Sequence, residues 1–445
     1  MKKLLSNTSV KTVGLANLGC KANQYDGTYM GALMERHGFR LVDFKELADL
    51  YLINTCTVTD KADGDSRNLI RRAHRRNPEA PIVVTGCYAQ TQSQEVAELP
   101  GVALVLGNTF KDSLVDLLQK ALRQKEGTAP LMEVEDIFKQ KELEAFGLSS
   151  YTQNARAYVK IQDGCNQFCS FCIIPFARGR NRSIDIKRVL EELRELASAG
   201  FEEAILTGIH LGTYGQDLSP KKNLADLLKA IEEAKPIHRV RISSVDPEEI
   251  TEEIVELLAA SQIFCPHLHI PVQSGDDKIL KLMRRRYETA EFLELCINLV
   301  ERIPRLCLGT DVMVGFPYED EASFERTYAL LKQAPLHYFH VFPYSPKRGT
   351  PAAKMLAHVS AADKKNRAAQ LRQLSESKRL DYLDSFVGKK VEIVLERSVQ
   401  GSPSQWLGTS ENYLPVFLKD FRGQSRQKVL CEITHRQGER LVAYS

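Results

Sequence analysis

Two patterns run along this chain. Up to residue 343, short apolar runs alternate with stretches whose apolar residues recur at helical spacing. Beyond residue 383 the helical stretches stop and short alternating runs remain. The first four apolar runs are 12–19, 50–55, 81–86 and 102–107, with helical patterns over 24–37, 65–76 and 111–124. Strands alternating with helices predict a doubly wound parallel sheet. Six further runs, 157–161, 203–207, 239–243, 267–272, 307–314 and 338–343, alternate with helical patterns over 184–199, 223–234, 249–261, 290–301 and 321–333. That unit, repeated so often, predicts a partial (β/α) barrel whose site gathers at the carboxyl ends of the strands. A basic helical pattern over 360–383 leads to the last runs, 390–395, 413–418, 428–433 and 440–444, punctuated by Gly401, Gly423 and Gly438. These predict a small antiparallel β-barrel. The expected fold class is α/β with three domains, 1–148, 149–383 and 384–445, and a polar linker over 125–150.

The cysteines turn this outline toward chemistry. Run 157–161 leads into Asp163-Gly164-Cys165-Asn166-Gln167-Phe168-Cys169-Ser170-Phe171-Cys172, three cysteines at CxxxCxxC spacing in a short loop. Three thiolates from one turn suit one soft metal centre, and iron–sulfur clusters use cysteine thiolates. A 4Fe–4S cube held by three cysteines keeps one iron open, which signals reactivity rather than a staple. The bland alternatives are buried apolar cysteines or half of a zinc site. Cys20, Cys56 and Cys87 each close one of the first three strand-like runs. Ligands of a doubly wound sheet bind outside the carboxyl ends of its strands, so these three can converge although they are far apart in sequence. They read as ligands of a second 4Fe–4S cluster, against the alternative of three core cysteines.

Composition bounds the rest. The 445 residues allow ample core, and a net charge of +3 does not by itself announce a nucleic-acid partner. The first seven residues turn polar too soon for a signal peptide, so the match of Asn7-Thr8-Ser9 to a glycosylation acceptor carries no weight. No apolar run approaches the roughly 20 residues of a membrane span. A cytoplasmic location with no membrane partner is expected, and there ten cysteines point to metal or redox use rather than disulfides. Arg67, Arg71, Arg72, Arg75 and Arg76 crowd one helical pattern, and read as a solvated face or a phosphate contact. Arg178, Arg180 and Arg182, and likewise Arg284, Arg285 and Arg286, read as solvated surface or as contacts to phosphate or to a cofactor's carboxylate. His267 and His269 beside Cys265 invite a zinc site, but read more readily as buried, hydrogen-bonded histidines. Cys296, Cys307 and Cys431 sit in apolar surroundings and are expected in the core.

A CxxxCxxC loop with an aromatic before its last cysteine resembles the signature of radical S-adenosylmethionine (SAM) enzymes. The resemblance implies that the open iron binds the amino and carboxylate groups of SAM, and that an electron then cleaves SAM to methionine and a 5′-deoxyadenosyl radical. Cys165, Cys169 and Cys172 would be the cluster ligands and the catalytic centre. Phe171 would stack near the cluster and the adenine. Gly208 would lie near the methionine amino group, although it departs from the family's double-glycine–glutamate form. Ser243 or Ser244 would approach the SAM carboxylate or ribose, and Gln273 and Asp311 the ribose or the second substrate. Ordinary strand-end capping is the alternative for each of these polar residues.

The N-terminal cysteines are similar to those of the methylthiotransferase branch, whose second cluster carries the sulfur destined for product. The last domain resembles the RNA-binding TRAM module. There Trp406, Tyr413, Phe417 and Phe421, with interleaved Lys and Arg, would either stack on unpaired bases or fill the barrel. The stretches Gly19-Cys20-Lys21-Ala22-Asn23-Gln24, Asn54-Thr55-Cys56-Thr57-Val58-Thr59, Gly86-Cys87-Tyr88-Ala89-Gln90 and Thr207-Gly208-Ile209-His210-Leu211-Gly212 most resemble the branch that acts on N6-threonylcarbamoyladenosine in tRNA. The implied reaction puts a methylthio group on C2 of that base, at position 37 of the anticodon loop. Two 4Fe–4S clusters and SAM would be the cofactors, with an electron donor such as flavodoxin or ferredoxin and a sulfur donor that the sequence does not identify. C2 of adenine is an unactivated aryl C–H, so the hard chemistry belongs to cofactors. Two other readings stay open: a ribosomal-protein aspartate as substrate, and a non-catalytic iron–sulfur RNA-binding protein.

Overall fold

The computed structural model describes residues 10–124, 128–143, 154–399 and 401–444. The expected boundary between 148 and 149 and the polar start of the chain, with Asn7-Thr8-Ser9, lie outside them. So do parts of the expected linker. The chain forms two compact units: one of Met1–Tyr151, Asp163–Arg182 and Ser345–Thr350, the other of Thr152–Gln162, Ser183–Tyr344 and Pro351–Ser445.

The first unit is built on a six-stranded sheet of order β2-β1-β3-β4-β5-β6, with every neighbouring pair parallel. Its strands are β1 (Thr12–Asn17), β2 (Arg40–Asp43), β3 (Leu50–Thr55), β4 (Ile82–Gly86), β5 (Val102–Leu106) and β6 (Leu131–Glu133). Both β3 and β4 are buried along their whole length. Their unbroken apolar runs suit a parallel sheet covered on both faces. The helices are α1 (Lys21–Arg36), α2 (Asp60–Arg76), α3 (Cys87–Thr91), α4 (Ser93–Ala97) and α5 (Leu114–Leu122), with α6 (Ile174–Arg178) on the separate segment. Ile70 and Ala73 of α2 pack on Ile53, Ile82 and Val84, and burying each large aliphatic side chain stabilises by about 1.5–3 kcal/mol. The Thr59 hydroxyl caps α2 by accepting from the Ala62 amide at 3.1 Å. Of the α2 arginines, Arg71, Arg72 and Arg75 are exposed. Arg67 instead donates to Tyr88 and Glu95, and Arg76 to the Phe44 carbonyl. Strand β2, and β6 within the expected linker, are additions to the sequence-based outline.

In the second unit, β7 (Ala157–Lys160), β8 (Glu203–Thr207) and β9 (Arg239–Ile242) form one parallel sheet, and β10 (His267–His269), β11 (Cys307–Val314) and β12 (Tyr338–Pro343) another. Isolated parallel bridges Val240–Phe264 and Ser244–His269 join them, so six strands follow one another in chain order as a partial barrel. Helices α7 (Ile186–Ser198), α8 (Leu224–Ala234), α9 (Glu252–Ala260), α10 (Asp277–Met283), α11 (Thr289–Arg302) and α12 (Glu321–Gln333) separate the strands. Helix α13 (Ala361–Asp384) leads to a closed barrel of β13 (Lys390–Val399), β14 (Ser402–Ser410), β15 (Pro415–Lys419), β16 (Lys428–Gln437) and β17 (Arg440–Tyr444). Its neighbours are antiparallel except β15 and β17, which run parallel. Trp406 on β14 is 8% exposed and packs with Leu395, Leu418 and Ile433, so it fills the barrel and offers no stacking face. Tyr413 and Phe421 lean against the same core. Cys296, Cys307 and Cys431 are buried, as expected. Among the described residues, no helix is long and apolar enough to cross a membrane.

Candidate metal centres

Strands β1, β3 and β4 are sheet neighbours and point the same way, so their carboxyl ends lie side by side. Cys20 follows the first and caps α1, Cys56 directly follows the second, and Cys87 follows the third as the first residue of α3. The backbone between strand and thiol is tightly turned. Gly19 has φ +91, and a Cβ there would come within 2.7 Å of the Cys56 sulfur. Gly86 has φ +94, and a Cβ there would lie 2.4 Å from the Thr55 carbonyl oxygen. Both positions therefore exclude a side chain. Burial pushes the Cys56 thiol up to about 12, and the sulfurs of Cys87 and Cys20 add to the rise. Cys20 is accessible to solvent, yet desolvation by the protein around it raises its thiol too, with Cys87 contributing. Thiols raised in this way are poor nucleophiles, but a soft cation that displaces their protons binds them as thiolates. Three sulfur donors at three adjacent strand ends, with glycine beside two of them, fit a cluster held by three protein ligands.

Arg178, at the end of α6, reaches this site. Its side chain is fully buried. Its Nε donates to the Cys87 sulfur at 3.4 Å, and its Nη2 donates to Asn23 Oδ1 at 2.8 Å. Its Nη1 pairs with Asp26 at 2.9 Å and Asp163 at 3.1 Å. Lys111 also pairs with Asp26, at 2.6 Å. Burial opposes the guanidinium charge, but Asp163, Cys87 and Asp26 hold it firmly protonated. Arg180 differs: it is exposed, with its guanidinium over the Phe138 ring.

The loop of Cys165, Cys169 and Cys172 belongs to the same unit as the three strand-end cysteines. The Cys165 amide donates to the Gly179 carbonyl, the Cys172 amide to that of Cys169, and the Gln167 amide to the Cys165 sulfur at 3.3 Å. Phe171 is half-buried. Phe168 stacks on Phe138 with centroids 6.3 Å apart, and Phe176 meets both rings edge-on. This aromatic wall is not legible in the sequence.

The remaining candidates lie in the second unit. Gly208 follows β8, and a Cβ there would lie 2.7 Å from Gln162 Oε1. That oxygen accepts from the Ile209 and His210 amides at 2.9 and 2.8 Å, so Gln162 shapes the turn. Ser243 follows β9, is buried, and donates its amide to the Leu206 carbonyl of the neighbouring strand. Ser244 is exposed beside His269. Gln273 takes a left-handed φ of +61, and its amide donates to the Asp311 carbonyl at 2.9 Å. The Asp311 carboxylate lies 2.9 Å from His269 Nε2 and 3.1 Å from His340 Nδ1. Burial would raise it, but the two imidazoles hold it well below the usual carboxylate range. His267 and His269 are buried and both meet the Tyr338 hydroxyl, at 2.8 and 3.2 Å. Arg285 pairs with Asp246 at 2.7 Å, and Asp246 lies beside His210. The pairing of Asp311 with histidines 42 residues before it and 29 after it needs the tertiary fold to be seen.

Residues 159–331 match the radical SAM superfamily, and residues 12–107 match an uncharacterized protein family, UPF0004. The chain is 39% identical over 411 residues to a threonylcarbamoyladenosine tRNA methylthiotransferase, MtaB, of Bacillus subtilis, covering 92% of this chain and 90% of that one. It is 40% identical over 387 residues to the MtaB of Aquifex aeolicus, covering 87% and 93%. Among solved structures, the radical SAM methyltransferase TsrM of Kitasatospora setae superposes with a TM-score of 0.58 at 16% identity, covering 84% of this chain and 89% of that one, a likeness of fold.

Proposed function

The chain belongs to the radical SAM tRNA methylthiotransferases, and on that premise we propose how its parts divide the work. The enzyme replaces the C2 hydrogen of N6-threonylcarbamoyladenosine, at position 37 of tRNA, with a methylthio group, giving 2-methylthio-N6-threonylcarbamoyladenosine. SAM and two 4Fe–4S clusters supply the radical and the sulfur-bearing centre that an unactivated aryl C–H requires.

The observation that carries the assignment of parts is the placement of Cys20, Cys56 and Cys87 at three adjacent strand ends, in one unit with the CxxxCxxC loop. Cys165, Cys169 and Cys172 would hold the cluster that supplies SAM cleavage. Cys20, Cys56 and Cys87 hold the second cluster. Phe171, Gly208, Ser243, Ser244, Gln273 and Asp311 serve SAM. Of these, Asp311 is supported best, because its two imidazole partners keep it ionised and fix its direction. Domains 1–148, 149–383 and 384–445 carry the second cluster, the SAM chemistry and the RNA contact. On the last domain the stacking surface is Phe417 and Tyr444, both accessible, with Lys419 over their rings at 5.3 and 5.7 Å. The enzyme works in the cytoplasm on the tRNA anticodon loop, with electrons from a flavodoxin or ferredoxin.

Nucleoside mass spectrometry of total tRNA from cells with and without the gene tests the function. Loss of 2-methylthio-N6-threonylcarbamoyladenosine, with its precursor accumulating, is expected. Loss of an isopentenyl derivative instead would overturn the substrate.

A further inference from the structure

We propose that Arg178 is a positioning residue for the cluster on Cys20, Cys56 and Cys87, and that it raises that cluster's reduction potential through Cys87. The proposal rests on those three cysteines being ligands. A buried arginine needs counter-charges, since removing an ion from water costs several kcal/mol. Asp26 and Asp163 supply two, and Lys111 supplies a second cation on Asp26. Arg182 also comes within 4.0 Å of Asp163, so three cations share two carboxylates. The Arg178 Nε–H points at the Cys87 sulfur at 3.4 Å, while both Nη atoms are fixed by Asp26, Asp163 and Asn23.

A hydrogen bond to a ligating sulfur stabilises the more electron-rich, reduced cluster and so raises its potential. A guanidinium does this better than an ammonium here, because its planar fork holds the carboxylates while the Nε–H stays aimed at sulfur. Asp163 lies two residues before Cys165, and Arg178 six residues after Cys172. One guanidinium thus ties both ends of the CxxxCxxC loop to Cys87.

The test uses the full chain with Cys165, Cys169 and Cys172 changed to Ala, so that only one cluster titrates. Anaerobic redox titration followed by electron paramagnetic resonance gives the midpoint potential, and iron analysis gives the loading. R178K keeps the charge and removes the Nε–H. It is expected to load iron like its parent, with the reduced-to-oxidised ratio at the parent's midpoint falling about tenfold, a shift of about 59 mV for one electron. An unchanged midpoint at full loading overturns the proposal and reduces Arg178 to a structural ion pair. If R178K loads no iron, the charge-balanced double variant R178Q with D26N is titrated instead, and an unchanged midpoint there overturns it equally. A parent that binds no iron would overturn the ligand assignment itself, which separates that failure from this one.

Discussion

The Leu308 amide donates to Nδ1 of His337 at 2.8 Å, so that nitrogen must carry no proton. Burial, with Lys378 and Arg379 nearby, lowers this imidazole to about 4. The unfolded chain takes up the proton near 6.5. Above that pH both states are neutral and His337 adds no pH dependence. As pH falls from about 6.5 toward 4, the unfolded state binds the proton first and stability drops, by at most about 3 kcal/mol. The urea midpoint should therefore fall between pH 7 and pH 5, and fall less in His337→Gln; equal falls would remove His337 as a cause. Gly19 lies against the second of the strand-end thiols. Its φ of +91 and the 2.7 Å between a built Cβ and the Cys56 sulfur predict that Gly19→Ala disturbs the thiol itself. Left-handed backbone adds about 1–2 kcal/mol of strain. Iron bound after anaerobic reconstitution should drop by about half, since only one of two four-iron sites is touched. Full loading would show that the turn yields without moving Cys56.

Glu203 on β8 shows how one strand can hold a domain. Its carboxylate is fully buried and accepts from Arg239 at 2.7 Å and Arg241 at 2.8 Å. Those arginines continue to the Thr409, Ser410 and Glu411 carbonyls around the end of β14, at 2.9, 3.0 and 3.0 Å. Removing the carboxylate takes the buried counter-charge from two guanidinium groups and leaves Arg239 only Glu392 at 3.8 Å, so Glu203→Ala should cost about 3–5 kcal/mol. Thermal unfolding measures it; a loss below 1 kcal/mol would mean the carbonyls alone suffice. No such knot is legible in the sequence, where Glu203, Arg239 and Arg241 are three charges on strand-like runs. The cysteine-bearing strands are legible for the opposite reason: a sheet buried on both faces reads as unbroken apolar runs, and ligands gather at carboxyl ends. Short elements escape. Strand β2 is four half-exposed or exposed residues, and β6 is three. Strand β14 opens Ser-Pro-Ser-Gln and owes its form to its partners on both sides. A register shift in β13 between Leu395 and Arg397, opposite β14, breaks simple alternation there, so the inward turn of Trp406 is hidden as well. Arg178 and Arg180 look alike in sequence, and only the distant Asp26 and Cys87 tell them apart.

For the whole molecule, the proposed assignment of two cysteine triads predicts a stoichiometry and a division of labour. Anaerobic reconstitution should give about eight irons per chain, and about four in either Cys56→Ala or Cys165→Ala. Iron alone cannot rank the triads, because both variants lose the same amount; their reactions should differ. Adenine C2–H lies outside the range of side-chain acids and bases, so a variant without the SAM-binding cluster has no second route to product. Cys165→Ala should therefore yield neither 5′-deoxyadenosine nor methylthiolated tRNA. Cys56→Ala keeps the CxxxCxxC loop and its backbone bonds, so 5′-deoxyadenosine should still form with reductant and SAM. What it lacks is a thiolate of the second triad, so the base should gain no methylthio group. Chromatography of the nucleosides from one reaction reads both products at once. Unimpaired methylthiolation by purified Cys56→Ala would sink the division. Loss of 5′-deoxyadenosine in that variant would mean that the strand-end triad also supports the CxxxCxxC loop, the coupling that the Arg178 bridge between Cys87 and Asp163 makes physically available.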